Sequence, residues 1–123
     1  MLTALLVVAG AAIGAPLRYL TDLLVQSWHD TVLPWGTLTV NLTGSLILGG
    51  AAAAVGGGAP TWLLTVVGTG FCGALTTFST FGFETLRLVE DGALQEAVLN
   101  VAASLSLGLL ACAGGWALVS ALV

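Results

Sequence analysis

The sequence predicts an all-α integral membrane protein whose chain supplies four transmembrane helices. Three observations carry this. Hydrophobic residues fill 58% of the 123 positions and charged residues 7%, against roughly 25% charged in an ordinary soluble domain. So few charges cannot cover the surface of a water-soluble monomer. The apolar residues gather into four segments long enough for a bilayer core, with short connectors, of which Gly56-Gly57-Gly58-Ala59-Pro60 is the plainest turn. Trp28, Trp35, Trp62 and Trp116 fall near the segment ends, where amphipathic rings favour the headgroup level.

The first segment runs from about Leu2 to Val25. Its arginine follows the apolar run rather than preceding it, so it reads as a span and not as a cleaved leader. Arg18 and Asp22 make its end amphipathic. The second segment runs from about Trp35 to Val55, the third from Thr61 to Leu88 and the fourth from Gln95 to Leu122. Together they fit one domain, and the short connectors predict antiparallel neighbours.

The third segment is too long for a straight span. As a continuous helix, residues 61–88 would reach about 42 Å, against roughly 30 Å of hydrocarbon. A break near Gly73 to Thr77 absorbs the excess, and the composition there agrees. Gly70 and Gly73 loosen the backbone, and Thr76, Thr77, Ser79 and Thr80 crowd hydroxyls together. Phe78 and Phe81, three residues apart, share a helix face. A polar, helix-weakening stretch at membrane depth is tolerated only where protein or water covers it. That makes it the candidate site.

Orientation is poorly specified. The chain has two basic residues, Arg18 and Arg87, and no lysine, so the positive-inside rule has little to act on. Such a chain can insert both ways, and oppositely oriented copies can pair about an axis in the membrane plane. Small residues at helical spacing, Gly10/Gly14, Ser45/Gly49, Ser104/Gly108 and Ala111/Gly115, suit close helix contact within or between subunits.

Thr37, Asn41 and Ser45 form a polar stripe on the second segment, and Asn100, Ser104 and Gly108 repeat the spacing on the fourth. A serine or threonine commonly bonds back to its own helix. An asparagine amide cannot do so fully, so the two stripes suggest a polar track. Its groups donate hydrogen bonds, and segments one, two and four carry no central carboxylate. With Arg18 near one end, this favours an anion. Ring edges carry the positive part of the aromatic quadrupole, so Phe78 and Phe81 suit an anion too, although core packing is their ordinary use.

Other chemistries fit poorly. The net charge of −4 argues against nucleic acid or an anionic lipid surface. His29 is alone, and Cys72 and Cys112 lie in apolar runs as small buried thiols. Gly68 to Gly73 spells GxGxxG without a βαβ unit around it, and the sequon at Asn41 lies inside a span. Nothing points to an enzyme.

At this point the residues resemble a known family, the small bacterial fluoride channels called Fluc or CrcB. The resemblance rests on GAAIGAPLRY at Gly10–Tyr19, GTLTVNLTG at Gly36–Gly44 and GFCGALTTFSTF at Gly70–Phe81. It implies four-helix subunits pairing as an antiparallel, dual-topology homodimer in the plasma (cell inner) membrane, with two pores that export fluoride passively. It also implies that Asn41, Thr77, Phe78, Ser79, Thr80, Phe81, Ser104 and Arg18 belong to the fluoride pathway, with Glu84 near its entrance. Finally, it implies a structural sodium ion at the dimer centre, held by the backbone carbonyls of Gly73 and Thr76. The chain departs from the family pattern at Asn100, often tyrosine, and at Gly108, often serine. A dual-topology multidrug or cation exporter is the alternative, but such exporters need a carboxylate in the membrane interior.

Overall fold

The computed structural model describes residues 1–28 and 33–123; His29 lies outside them. The described residues are helical, with no strand. Helix α1 spans Leu2–Trp28 and runs through Pro16. Helix α2 spans Trp35–Gly56. The third span has two parts, α3 over residues 61–75 and α4 over Ser79–Glu90. Helix α5 spans Leu94–Leu122. Each of the four stretches, counting Thr61–Glu90 as one, is long and apolar enough to cross a membrane.

The interior is thin and built on glycine. Helix α2 packs most extensively on α5, and α1 on α3. At the second contact a Cβ on Gly10 would overlap the Val66 carbonyl oxygen, and one on Gly70 would come 2.6 Å from the Val7 carbonyl oxygen. At the first, a Cβ on Gly49 would strike the Cys112 carbonyl oxygen and one on Gly115 the Leu46 carbonyl oxygen. With no hydrophobic drive between helices in lipid, such backbone-on-backbone approach supplies the packing. Gly10, Gly14, Gly49 and Gly115 are therefore used inside the chain. Both cysteines are free thiols, Cys72 buried and Cys112 half-buried.

Helix α3 is not a plain α-helix. Its middle, Leu64–Cys72, is a π-helix between short α-helical ends, Thr61–Leu63 and Gly73–Leu75. The Gly73 N–H reaches back five residues to the Gly68 carbonyl. Such wide turns are rare and recur at functional sites. No hydropathy pattern signals them, because π and α turns of the same apolar residues look alike in sequence.

The break lies at 76–78, toward the late edge of the expected region. Gly73 is still helical, and the chain first leaves the helix at Thr76, with φ −83° and ψ 162°. Threonine chemistry accounts for the position better than glycine flexibility does. Thr76 folds both its N–H and its hydroxyl onto the Cys72 carbonyl, at 2.9 and 2.8 Å. Hydroxyl side chains compete for backbone groups in this way and so favour helix ends.

The start of α2 is held from α1. Pro34 precedes the helix and offers no capping side chain, but the Gln26 Oε1 accepts the Gly36 N–H at 2.9 Å. One of the helix's orphan donors is thereby satisfied.

Candidate functional site at the helix break

A broken helix at membrane depth must find new partners for its peptide groups. Here α2 supplies one. The Thr77 N–H donates to Asn41 Oδ1 at 2.8 Å, and Asn41 Nδ2 donates to the Thr77 carbonyl at 3.0 Å. The amide thus grips the backbone of Thr77 from both sides, bonding the peptide group before it and the one after. Its second Nδ2 hydrogen is left for another acceptor.

The Thr77 side chain does a similar job one turn on. Its hydroxyl accepts the Thr80 N–H at 3.2 Å and donates to Thr80 Oγ1 at 3.0 Å, with Ser79 Oγ at 3.5 Å. The first turn of α4 is capped by this hydroxyl, since its N-cap position, Phe78, has no capping side chain.

Two carbonyls lose their helical donors as a result. In a continuous helix the Thr77 N–H would bond the Gly73 carbonyl, and the Thr80 N–H would bond the Thr76 carbonyl. Both N–H groups are engaged elsewhere, by Asn41 Oδ1 and Thr77 Oγ1. Gly73 and Thr76 therefore present carbonyl oxygens without their usual N–H partners.

Thr77 also stands between two cavities. One, of about 310 Å³, is lined by Asn41, Ser45, Gly73, Thr76, Thr77 and Phe78 among others. The other, of about 160 Å³, is lined by Arg18, Tyr19, Asp22, Thr37, Thr77 and Thr80, with Val40. Beyond Thr37 lies a third, of about 280 Å³, lined by Glu84, Arg87, Gln26 and Asp91 among others. The Thr37 hydroxyl donates to Glu84 Oε1 at 2.5 Å, across the step from the second to the third.

Most of the sequence-predicted residues meet here. Asn41, Thr77, Thr80, Arg18, Gly73, Thr76 and Phe78 all border the two cavities at the break. Ser79 joins them through Thr77. The rings of Phe78 and Phe81 are 5.9 Å apart at 46°. Phe78 is 83% exposed although it sits midway along a span. Ser104 is half-buried on α5 and does not line either cavity.

The two polar stripes do not face each other along one track. Thr37 serves Glu84, Asn41 serves Thr77, and Ser45 bonds back to the Asn41 carbonyl at 2.8 Å. On α5, Asn100 is buried and donates to Thr85 Oγ1 at 2.9 Å. It borders a separate apolar cavity with Trp35 and Leu38. The stripes approach at Gly108, where a Cβ would lie 3.8 Å from Ser45 Oγ. The Asn41 grip, the Gln26 cap and the Thr85–Asn100 bond were all missed by sequence reasoning. None has a local signature, because each joins separate elements.

The profile of the family described as CrcB-like protein, Camphor Resistance (CrcB), matches residues 5–116. The chain belongs to the CrcB family. Proteins similar to it include one from Frankia casuarinae named Fluoride-specific ion channel FluC 1, 59% identical over 95% of each chain. A Streptomyces avermitilis protein of the same name is 57% identical over 91% of this chain and 92% of its own. One from Natronomonas pharaonis, named Fluoride-specific ion channel FluC 2, is 48% identical over 99% of this chain and 98% of its own. Membership in the CrcB family and four apolar spanning helices make this a multi-pass protein of the cell membrane.

Proposed function

We propose that the chain forms a fluoride-selective channel, which lets fluoride leave the cytoplasm passively and so lowers its internal concentration. It catalyses no reaction. The observation that carries the reading is the break itself, where donors gather at membrane depth with no carboxylate lining the larger cavity. Asn41, on that cavity, keeps one amide hydrogen, and the Thr80 hydroxyl, on the smaller cavity beside Arg18 and Asp22, keeps its own proton to donate. A small hard anion suits closely spaced donors that replace its hydration shell. The names carried by the similar proteins agree, and they do not favour the cation-exporter alternative.

The working unit in this reading is a homodimer of oppositely oriented copies. Phe78, Ser79, Thr80 and Gly73 are exposed on the single chain, and polar backbone at this depth needs cover. A second copy supplies it, with the surrounding lipid covering the apolar faces. Edges of Phe78 and Phe81 then complete the fluoride path, Arg18 attracts the anion from one end, and Ser104 adds a hydroxyl from α5.

Sodium is the structural ion that the family resemblance implies, and the residues present fit it. The carbonyls of Gly73 and Thr76 have lost their helical donors, and a two-fold axis would double two oxygens to four. Among the described residues no three His, Cys, Asp or Glu gather to hold a metal, so hard carbonyl oxygen is the available donor chemistry. When bound, the ion would supply a fixed positive charge at the subunit boundary.

The deciding experiment is fluoride efflux from liposomes that contain only this protein, with chloride as control. Fluoride flux well above that of empty liposomes, with chloride retained, is expected. Flux equal to empty liposomes would remove the channel reading, and substrate accumulation driven by a pH gradient would favour an exporter.

A further inference from the structure

We infer that Asn41 and Thr77 are positioning residues for the cation site, keeping the Gly73 and Thr76 carbonyls available by taking the N–H groups that would otherwise occupy them. The inference rests on reading the break as a sodium site, and it gives Asn41 a task apart from lining a pore.

The register makes the case. Thr77 is four residues after Gly73, and Thr80 is four residues after Thr76, so each N–H is the α-helical donor for one of the two carbonyls. Both are diverted by side chains, one to Asn41 Oδ1 at 2.8 Å and the other to Thr77 Oγ1 at 3.2 Å. A backbone N–H shielded from water does not remain unpaired. Without the Asn41 acceptor, the Thr77 N–H has the Gly73 carbonyl as its partner in register. Without the Thr77 hydroxyl, the Thr80 N–H has the Thr76 carbonyl. Each loss would let α3 and α4 tend to rejoin, and a carbonyl already accepting an N–H is a poorer cation ligand.

The two halves of the Asn41 grip are separable by substitution. Asn41→Asp keeps an oxygen for the Thr77 N–H while removing the donor to the Thr77 carbonyl and adding negative charge to the anion path. Asn41→Ala removes both bonds. Thr77→Ser keeps a hydroxyl, and Thr77→Val removes it at nearly constant shape. Sodium affinity and fluoride flux should therefore part company in Asn41→Asp and fall together in Asn41→Ala.

The test uses the full chain, purified in detergent. Its thermal midpoint is followed as sodium chloride replaces N-methylglucamine chloride at constant ionic strength, and fluoride efflux is measured in parallel. We expect the half-saturating sodium concentration to rise about tenfold in Asn41→Ala and in Thr77→Val, as diversion of one hydrogen-bonding partner would give. Asn41→Asp and Thr77→Ser should keep the wild-type sodium response, and Asn41→Asp should lose flux while keeping it. If Asn41→Ala does not assemble, the Thr77→Val and Thr77→Ser pair decides. A wild-type sodium response in every assembled variant would overturn the inference and leave the cation site standing. A wild-type protein indifferent to sodium would remove the cation site, and the inference with it.

Discussion

The two halves of the third span make opposite use of the membrane. Helix α3 buries Gly68, Gly70, Cys72 and Leu75 and lies against the backbone of α1. Helix α4 buries Leu88 alone and carries Glu84, Arg87 and Glu90. The first half anchors and the second presents. The difference shows that a break in a membrane helix need not be a weak point. It allows one span to have two environments, provided another helix bonds the freed peptide groups, as Asn41 does for Thr77.

The largest expected effect lies in the anchoring half. Gly70→Val would drive a branched side chain into the Val7 backbone, an overpacking cost of about 3 kcal/mol or more. We expect no monodisperse protein on size exclusion; a folded, conducting variant would show the α1–α3 seam to be loose. In the presenting half, Phe78→Ile and Phe81→Ile should leave assembly intact. Each loses a ring-edge contact worth about 1 kcal/mol, so fluoride efflux should slow by roughly fivefold or more. Normal flux in both would make the rings packing and blur the contrast between the halves.

Further variants test the joints between regions. Thr37→Val leaves the Glu84 carboxylate without its hydroxyl partner and should cost about 1–3 kcal/mol of stability. Thermal unfolding in detergent measures it, and an unchanged midpoint would mean that water replaces the hydroxyl. Ser104→Ala removes a single hydroxyl worth about 0.5–1.5 kcal/mol, or roughly a two- to twelvefold loss of flux. Undiminished flux would take α5 off the fluoride path.

What the sequence made legible follows from how local each signal is. Hydropathy alone marks the four spans, and the excess length of the third, with its hydroxyl-rich middle, locates the break. Its position near Thr76 rather than Gly73 follows from side-chain-to-backbone bonding by threonine, which a count of glycines does not weigh. The partner of Asn41 lies 36 residues away, so the sequence could say that the amide needed one but not which. The same limit applies to the stripe on α5: Asn100 looked like part of a track, yet its amide is bonded to Thr85 on the neighbouring helix. The π-helix left no trace, because π and α turns of the same apolar residues look alike in sequence.

The grip on Thr77 has a consequence for the sign of charge along the chain. Before Thr77 the break offers bare acceptors, the carbonyls of Gly73 and Thr76; after it come side-chain donors, the hydroxyls of Ser79 and Thr80. Asn41, holding the Thr77 backbone between them, marks the boundary where polarity reverses. In the proposed reading, a few consecutive residues would hold a cation and pass an anion as immediate neighbours, each ion softening the field that the other would feel alone in a medium of low permittivity. Selectivity by sign would then be written into the order of the backbone, in a stretch that carries no formal charge.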